Sequence, residues 1–314
     1  MFAQLDTKTV YSFMDSLIDL EGYVKEAKVL GYQTIGIMDK DNLYAAFHFI
    51  TKAKSEGLRP VLGLELTLNL QENLSLSVYL IARDTTGYKN LMKVSSCQMT
   101  SGIQLEDLKD YLSGLVVIIP YFDGLESLLL PFEYYIGVNV HSEEKDYDKP
   151  LIPLHTVRYF NTNEVETLHM LHAIRDNISL KDAPAAPQGQ QLMACDILTQ
   201  AFEQKFPQAL ENLEKLVADI HYDFNSELKL PRFNRQKPAQ EELIELTEAG
   251  LKAKNLWLPE YQERLRKELS VIHKMEFDDY FLIVWDLLRF GRSRGYYMGC
   301  LLYTSPSPRD PKTS

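Results

Sequence analysis

Six short apolar runs, separated by segments of helical periodicity, constrain the fold of this chain more than any other feature. The apolar runs predict buried strands at residues 33–38, 60–68, 76–83, 114–119, 134–140 and 150–154. Helical patterns lie around them at about 20–30, 42–57, 87–96 and 163–174. Such alternation is typical of parallel β/α units, so we expect an α/β fold, either a closed barrel or a doubly wound sheet.

The second part of the chain has a different pattern. After about residue 187, apolar residues recur at helical spacing among many charges, which predicts helices at 209–220, 238–255 and 258–275. The segment 221–238 has two prolines and no clear period, so we place the domain junction there. We therefore predict an α/β domain at 1–220, a linker at 221–238 and a mainly helical region at 239–299.

Composition excludes some classes of protein. The net charge of −11, from 33 basic and 44 acidic residues among 314, argues against a protein that coats DNA with a general positive surface. It does not exclude basic groups confined to one channel. The three cysteines are far apart and form no CxxC pair, so we expect reduced thiols and neither a disulfide frame nor a zinc site. No secretory signal or apolar membrane span is evident, so we expect a cytoplasmic protein with no membrane partner.

The last fifteen residues, 300–314, differ from the rest. The sequence CLLYTSPSPRDPKTS is rich in Ser and Pro and has neither a helical nor a strand pattern. It resembles the translation of a sequencing adapter, so we expect a non-native tail that does not pack on the protein. A natural disordered tail is the alternative.

Three blocks of the sequence carry a family resemblance. Residues 11–66, 79–96 and 264–299 together resemble the N-terminal part of bacterial C-family replicative polymerases, the DNA polymerase III alpha subunits of Gram-positive type. The resemblance implies a distorted β/α barrel of the polymerase-and-histidinol-phosphatase (PHP) type, followed by the start of a polymerase palm at 239–299. It implies template-directed DNA synthesis by the parent protein, with Mg²⁺ as cofactor and with primed DNA, deoxynucleotides and replisome subunits such as the sliding clamp as partners. The family's catalytic aspartates would lie downstream of residue 299, so we expect this chain alone to be an inactive fragment.

The resemblance also implies a degenerate metal site in the barrel. Metal-binding relatives have a His-x-His pair shortly before a Ser, and later an Asp-His-Gly motif. Here Asp6 and Lys8 stand at the pair, Asp39 keeps its position with Lys40 after it, and Glu65 matches a strand-end acid. At neutral pH a lysine has no free lone pair for a metal. We therefore expect the two ammonium groups to neutralise the acids in place of a metal, with all five residues at neighbouring strand ends and no metal bound.

Two further hypotheses remain open. The barrel could instead be a metal-dependent phosphoesterase or 3′–5′ exonuclease, if the remaining acids recruit His141 or His155 as further ligands. Separately, Arg289, Arg292 and Arg294 lie close together near a predicted helix end. They are candidate contacts to phosphate or DNA, or a solvated basic helix end that complements the helix dipole.

Overall fold

The computed structural model describes residues 1–71, 74–100, 102–221, 230–234 and 236–296. The chain divides into two compact units, Met1–Phe224 and Asn225–Ser314. Half of the predicted linker 221–238 and all of the predicted tail 300–314 lie outside the described residues.

The first unit contains a six-stranded sheet in which the strands follow one another in chain order. The strands are β1 (Thr34–Lys40), β2 (Arg59–Gln71), β3 (Leu74–Ala82), β4 (Leu115–Pro120), β5 (Tyr135–Val138) and β6 (Leu151–Pro153). All six predicted strands are found. The first six residues of β1 are buried, as expected for a sheet covered on both faces.

The sheet is mixed, so the expected parallel β/α units make up only part of it. β1 pairs with β2, β4 with β5 and β5 with β6 in parallel, but β3 is antiparallel to both β2 and β4. Only two residues separate the end of β2 from the start of β3. A parallel connection needs about a dozen residues or more, so strands joined this closely must run antiparallel.

The N-terminal segment closes the sheet into a distorted barrel. Gln4 forms a parallel bridge with Ile35 at one edge, and Thr7 forms one with Val157 beyond β6 at the other edge. Val157 also accepts a hydrogen bond from the Lys8 amide at 2.9 Å. Residues 4–8 therefore lie between the two edges of the sheet. Their position places their side chains at the end of the barrel.

Seven helices are described in the first unit. They are α1 (Leu20–Val29), α2 (Ala46–Ser55), α3 (Thr85–Thr100), α4 (Leu105–Leu108), α5 (Val165–Arg175), α6 (Cys195–Lys205) and α7 (Pro207–Asp219). Helix α2 buries Ala46, Phe49, Ile50 and Ala53, the i, i+3, i+4, i+7 positions of an amphipathic helix. This apolar stripe packs on β2, so α2 covers one face of the sheet.

Helix α1 shows how the sequence fixes these contacts. It begins after Asp19, whose carboxylate accepts a hydrogen bond from the Gly22 amide at 2.7 Å and caps the helix. The buried hydroxyl of Tyr23 donates to the Gly36 carbonyl and accepts from the Thr7 hydroxyl, both at 2.9 Å. One tyrosine thus joins the helix, the first strand and the N-terminal segment.

The described part of the second unit is helical. Its helices are α8 (Ala239–Ala253), α9 (Pro259–Lys274) and α10 (Asp278–Ser293). Among its described residues only Leu243, Asp278, Leu282 and Gly291 are buried. The fold is thus an α/β distorted barrel followed by a mainly helical region, as predicted.

Candidate functional site

A cluster of charged side chains lies near the end of β1 and beside the middle of β2. Asp6 and Lys8 come from the N-terminal segment, Asp39 from the end of β1, and Glu65 from the middle of β2. The Thr7 carbonyl accepts from the Met38 amide at 2.8 Å, which aligns the segment with β1. The barrel thus brings together side chains that are distant in sequence, but Glu65 lies in the middle of β2 and not at the strand end that the sequence predicted.

The ammonium group of Lys8 is the centre of this cluster. Its side chain is 0% exposed, and its Nζ lies 2.8 Å from Asp6 Oδ1 and 2.5 Å from Glu65 Oε2. Nζ also donates to the Met38 carbonyl at 2.8 Å and lies 4.5 Å from the centre of the Tyr79 ring. The contact to Met38 is a hydrogen bond, and the contacts to Asp6 and Glu65 are ion pairs.

The protonation state of Lys8 follows from these contacts. Burial alone disfavours the charged form, but the Asp6 carboxylate, with Tyr79 and Glu65, outweighs burial and raises the pKa of Lys8 above its ordinary value. A raised lysine pKa means that this contribution to stability is complete at neutral pH and is lost only in strong alkali. Lys8 is therefore a permanent cation in the folded barrel.

Asp39 is held by hydroxyl and amide donors of the neighbouring loop. Its carboxylate accepts from the Thr9 amide, the Thr9 hydroxyl and the Ser12 hydroxyl, each at 2.7 Å. Burial raises the pKa of Asp39, and these hydrogen bonds oppose the rise. The role of Asp39 that follows from this geometry is to fix the loop after the N-terminal segment to the end of β1.

The Lys40 side chain does not join the cluster. Lys40 lies opposite Glu65 in the β1–β2 register, but its side chain is exposed, whereas Asp39 is 2% exposed. Successive side chains of a strand point to opposite faces, so an inward Asp39 requires an outward Lys40. The expectation that the Lys40 ammonium lies among the acids is wrong, and Lys8 is the lysine that lies between Asp6 and Glu65.

Sequence reasoning missed several partners of the cluster. The Thr156 hydroxyl donates to Asp6 Oδ2 at 2.5 Å, and the Tyr79 ring covers Lys8. A second group surrounds Asp15, which lies 3.2 Å from both Arg158 and Arg175 and 2.9 Å from His172. Thr156 lies just beyond the end of β6, and Asp39 lies near the end of β1. The position of Thr156 after a predicted strand was therefore the signal by which the sequence could have indicated it as a site residue.

A cavity opens beside the cluster. Its volume is about 380 Å³, and its lining includes Asp6, Tyr79, His141 and His155. His155 Nε2 lies 2.8 Å from the Gln191 carbonyl, and burial lowers the pKa of His155, so its imidazole is neutral at pH 7. The two histidines that the hydrolase hypothesis requires therefore share a cavity with Asp6.

The donor set does not fit the metal cluster that the barrel type implies. Such a cluster needs carboxylates and imidazoles with free lone pairs around each cation. Here the Lys8 ammonium already lies between Asp6 and Glu65 at contact distance. Within the described ranges, no group of three or more His, Cys, Asp or Glu could hold a metal ion.

The three predicted arginines lie in the second unit. Arg289 pairs with Asp286 at 2.6 Å and stacks 4.7 Å from the Trp285 ring centre, so its charge is partly neutralised. Arg292 is exposed in the last turn of α10, and Arg294 is the residue that ends this helix. Arg292 and Arg294 thus present two guanidinium groups at the C-terminal end of α10.

Comparison with known proteins identifies the family. A family model described as "PHP domain" matches residues 4–149, and one described as "Bacterial DNA polymerase III alpha NTPase domain" matches residues 241–300. The "DNA polymerase III subunit alpha" of Streptococcus pyogenes serotype M3 is 57% identical over 301 residues, which are 95% of this chain and 29% of the relative. The chain belongs to the DNA polymerase III alpha-subunit family. The resemblance seen in the sequence is thereby confirmed.

More distant members of the DNA polymerase III alpha-subunit family also match. The protein of that name from Halalkalibacterium halodurans is 26% identical over 331 residues, covering 92% of this chain and 29% of the relative. The chain thus spans 29% of the length of these curated relatives. A solved structure titled as a putative metal-dependent phosphoesterase from Bifidobacterium adolescentis matches with a TM-score of 0.31 and 13% identity, covering 64% of this chain and 96% of that one. A similarity this low bears on neither fold nor function. In the part of the chain that the structure describes, no helix is both long and apolar enough to cross a membrane.

Proposed function

We propose that the parent protein, of which this chain is a part, is a replicative polymerase that performs template-directed DNA synthesis. We also propose that the PHP-type barrel of this chain serves as a structural scaffold in that polymerase. The observation that supports this proposal most is the 57% identity to a DNA polymerase III subunit alpha over 95% of the chain. Primed DNA and deoxynucleotides are the proposed substrates, other replisome subunits such as the sliding clamp the proposed partners, and the cytoplasm the proposed location.

The scaffold role rests on Lys8. A metal-dependent hydrolase uses its carboxylates to hold the cations that activate water. In this barrel Asp6 and Glu65 each contact the Lys8 ammonium, at 2.8 and 2.5 Å. The acids that would hold a metal instead hold a side chain of the same domain, and their charge contributes to stability and not to hydrolysis.

The proposed DNA synthesis belongs to the parent protein. In polymerases of this kind, Mg²⁺ held by palm aspartates activates the primer hydroxyl and stabilises the departing pyrophosphate. We place those aspartates outside these 314 residues, so the chain alone is inactive in this proposal. From this chain, Arg292 and Arg294 at the end of α10, with Arg289, would contribute phosphate contacts.

Primer extension tests the proposal. With Mg²⁺ and all four deoxynucleotides, the protein expressed from the complete gene should extend a primed template, and the 314-residue chain should not. A mock preparation controls for host polymerase. Template-dependent synthesis by the chain alone would overturn the assignment of the catalytic residues, and no synthesis by the complete protein would overturn the polymerase function.

One observation favours a second candidate, a metal-dependent phosphoesterase or 3′–5′ exonuclease. His141 and His155 line the same cavity as Asp6. The test is release of nucleotides from the 3′ end of single-stranded DNA with Mn²⁺ or Zn²⁺, compared between the chain and its His155→Asn variant. Metal-dependent hydrolysis that the substitution abolishes would establish this activity. Equal nucleotide release by the chain and by its His155→Asn variant, at the level seen without metal, would exclude this activity.

A further inference from the structure

The position of Lys8 Nζ has the surroundings of a cation site. Three oxygens point at it: Asp6 Oδ1 at 2.8 Å, Glu65 Oε2 at 2.5 Å and the Met38 carbonyl at 2.8 Å. The Glu65 distance lies within the range of about 2.3–2.6 Å typical of calcium–oxygen bonds, the other two are slightly longer, and all three exceed the roughly 2.0–2.1 Å that magnesium demands. Two of the three oxygens belong to carboxylates, and one to the backbone.

This arrangement differs from an ordinary surface salt bridge. The Lys8 side chain is fully buried, the Asp6 side chain is 1% exposed and that of Glu65 is 12% exposed. The second oxygen of Asp6 is occupied by the Thr156 hydroxyl. Without a positive charge between them, the two buried carboxylates would repel one another and would lack solvent to screen them.

We propose that Lys8 is the resident cation of this barrel, that it makes the folded domain independent of divalent metal ions, and that removing its side chain turns the same position into an oxygen-lined site for a divalent cation. This inference rests on the proposed scaffold role and is independent of the proposed DNA synthesis. The cation that the vacated position fits is a hard ion that accepts oxygen ligands at long distances, such as Ca²⁺ or Mn²⁺.

The experiment compares thermal unfolding of the 314-residue chain and its Lys8→Ala variant in EDTA, in Ca²⁺ and in Mn²⁺. The unsubstituted chain should melt at the same temperature in all three. Breaking a buried ion pair should lower the melting temperature of Lys8→Ala in EDTA by about 10 °C. A cation present at about 100 times its dissociation constant should restore about 5–10 °C of this loss. Titration calorimetry should then show about one bound cation in the variant and none in the unsubstituted chain.

Lys40→Ala is the matched control. Lys40 is on the same strand end and opposite Glu65 in register, but its side chain is exposed. Its removal should change the melting temperature by less than about 2 °C. It should create no response to Ca²⁺ or Mn²⁺.

A second measurement needs no variant and decides the case if Lys8→Ala does not fold. Acetic anhydride at a low dose, followed by mass spectrometry, reports how fast each amine of the folded chain reacts. Lys8 should react at least about ten times more slowly than Lys40, because its amine is buried between two carboxylates. Equal rates for the two lysines would overturn the proposal.

The outcomes separate this inference from the scaffold proposal. If EDTA destabilises the unsubstituted chain, a native metal supports the barrel and both proposals fail. If Lys8→Ala is destabilised but neither cation restores it, the cation-site inference fails and the scaffold role stands. If Lys8→Ala is as stable as the unsubstituted chain in EDTA, Lys8 is not the cation that holds this cluster. Restoration in the variant alone supports the inference.

Discussion

Replacing Asp39 by alanine should loosen the end of the barrel. The Asp39 carboxylate accepts three hydrogen bonds of 2.7 Å, two from Thr9 and one from Ser12, in a position that is 2% exposed. Alanine would leave one buried amide and two hydroxyls without their acceptor. A buried donor that loses its partner costs about 1–3 kcal/mol.

The magnitude follows from which of these donors can find another partner. The hydroxyls can rotate toward other acceptors, whereas the Thr9 amide is fixed by the backbone. We therefore expect a total loss of about 4 kcal/mol in the free energy of unfolding, below the simple sum for three donors. For a unit of roughly 220 residues this corresponds to a fall of about 8–16 °C in melting temperature.

Asp39→Asn provides a sharper comparison at the same position. Burial penalises the charge of Asp39 and raises its pKa. A neutral side chain of the same shape should therefore lower the free energy of unfolding less than alanine does. We expect Asp39→Asn to lower the free energy of unfolding by less than about 2 kcal/mol, since Asn keeps one carbonyl acceptor for the Thr9 amide.

Urea unfolding of both variants, followed by circular dichroism, measures these differences. Asp146→Ala, at an exposed position, controls for the loss of an aspartate as such. An Asp39→Ala variant within about 1 kcal/mol of the unsubstituted chain, or an Asn variant less stable than the Ala variant, would refute the assigned role of this carboxylate.

Three other substitutions test separate parts of the structure. Gly87→Ala should lower stability by about 3 kcal/mol in a denaturant melt, because its new methyl group would lie 2.0 Å from the Gly114 carbonyl oxygen, whereas Gly250→Ala, with nothing within 4 Å, should be tolerated. Burial lowers the pKa of His172, so the unfolded chain binds a proton first as the pH falls below about 6.5. The melting temperature should therefore fall between pH 7.5 and 5.5, and fall less in His172→Gln; equal falls would contradict this. In the complete polymerase, Arg292→Ala should reduce the salt slope of DNA binding by about 0.9 if this arginine contacts one phosphate, and an unchanged slope would exclude that contact.

The sequence predicted the strands well because each is a short apolar run bounded by turns. All six predicted strands are present, β1 at Thr34–Lys40 against the predicted 33–38, for example. Pairing direction was predicted correctly only for the parallel pairs, because the predicted strands 60–68 and 76–83 left seven residues between them where the structure has two. Helix α6 was missed, although its buried residues Cys195, Leu198 and Phe202 follow helical spacing.

The site was predictable only in part. The family pattern pointed to Lys8 and Asp39, but it could not tell which of two lysines faces inward. Strand alternation answers this once Asp39 is known to point inward, and it excludes Lys40. The Tyr79 ring comes from β3 and the Thr156 hydroxyl from just beyond β6, and local sequence patterns do not specify their long-range contacts with Lys8 and Asp6.

A double-mutant cycle between Lys8 and Glu65 tests most directly whether an internal ammonium holds the barrel end together. The free energy of unfolding is measured for the unsubstituted chain, Lys8→Met, Glu65→Gln and the double variant, with a parallel cycle of Lys40→Met and Glu65→Gln as control. We predict a coupling energy of about 2 kcal/mol or more for Lys8 with Glu65, and below about 0.5 kcal/mol for Lys40 with Glu65. A Lys8–Glu65 coupling as small as that of the control would contradict the account.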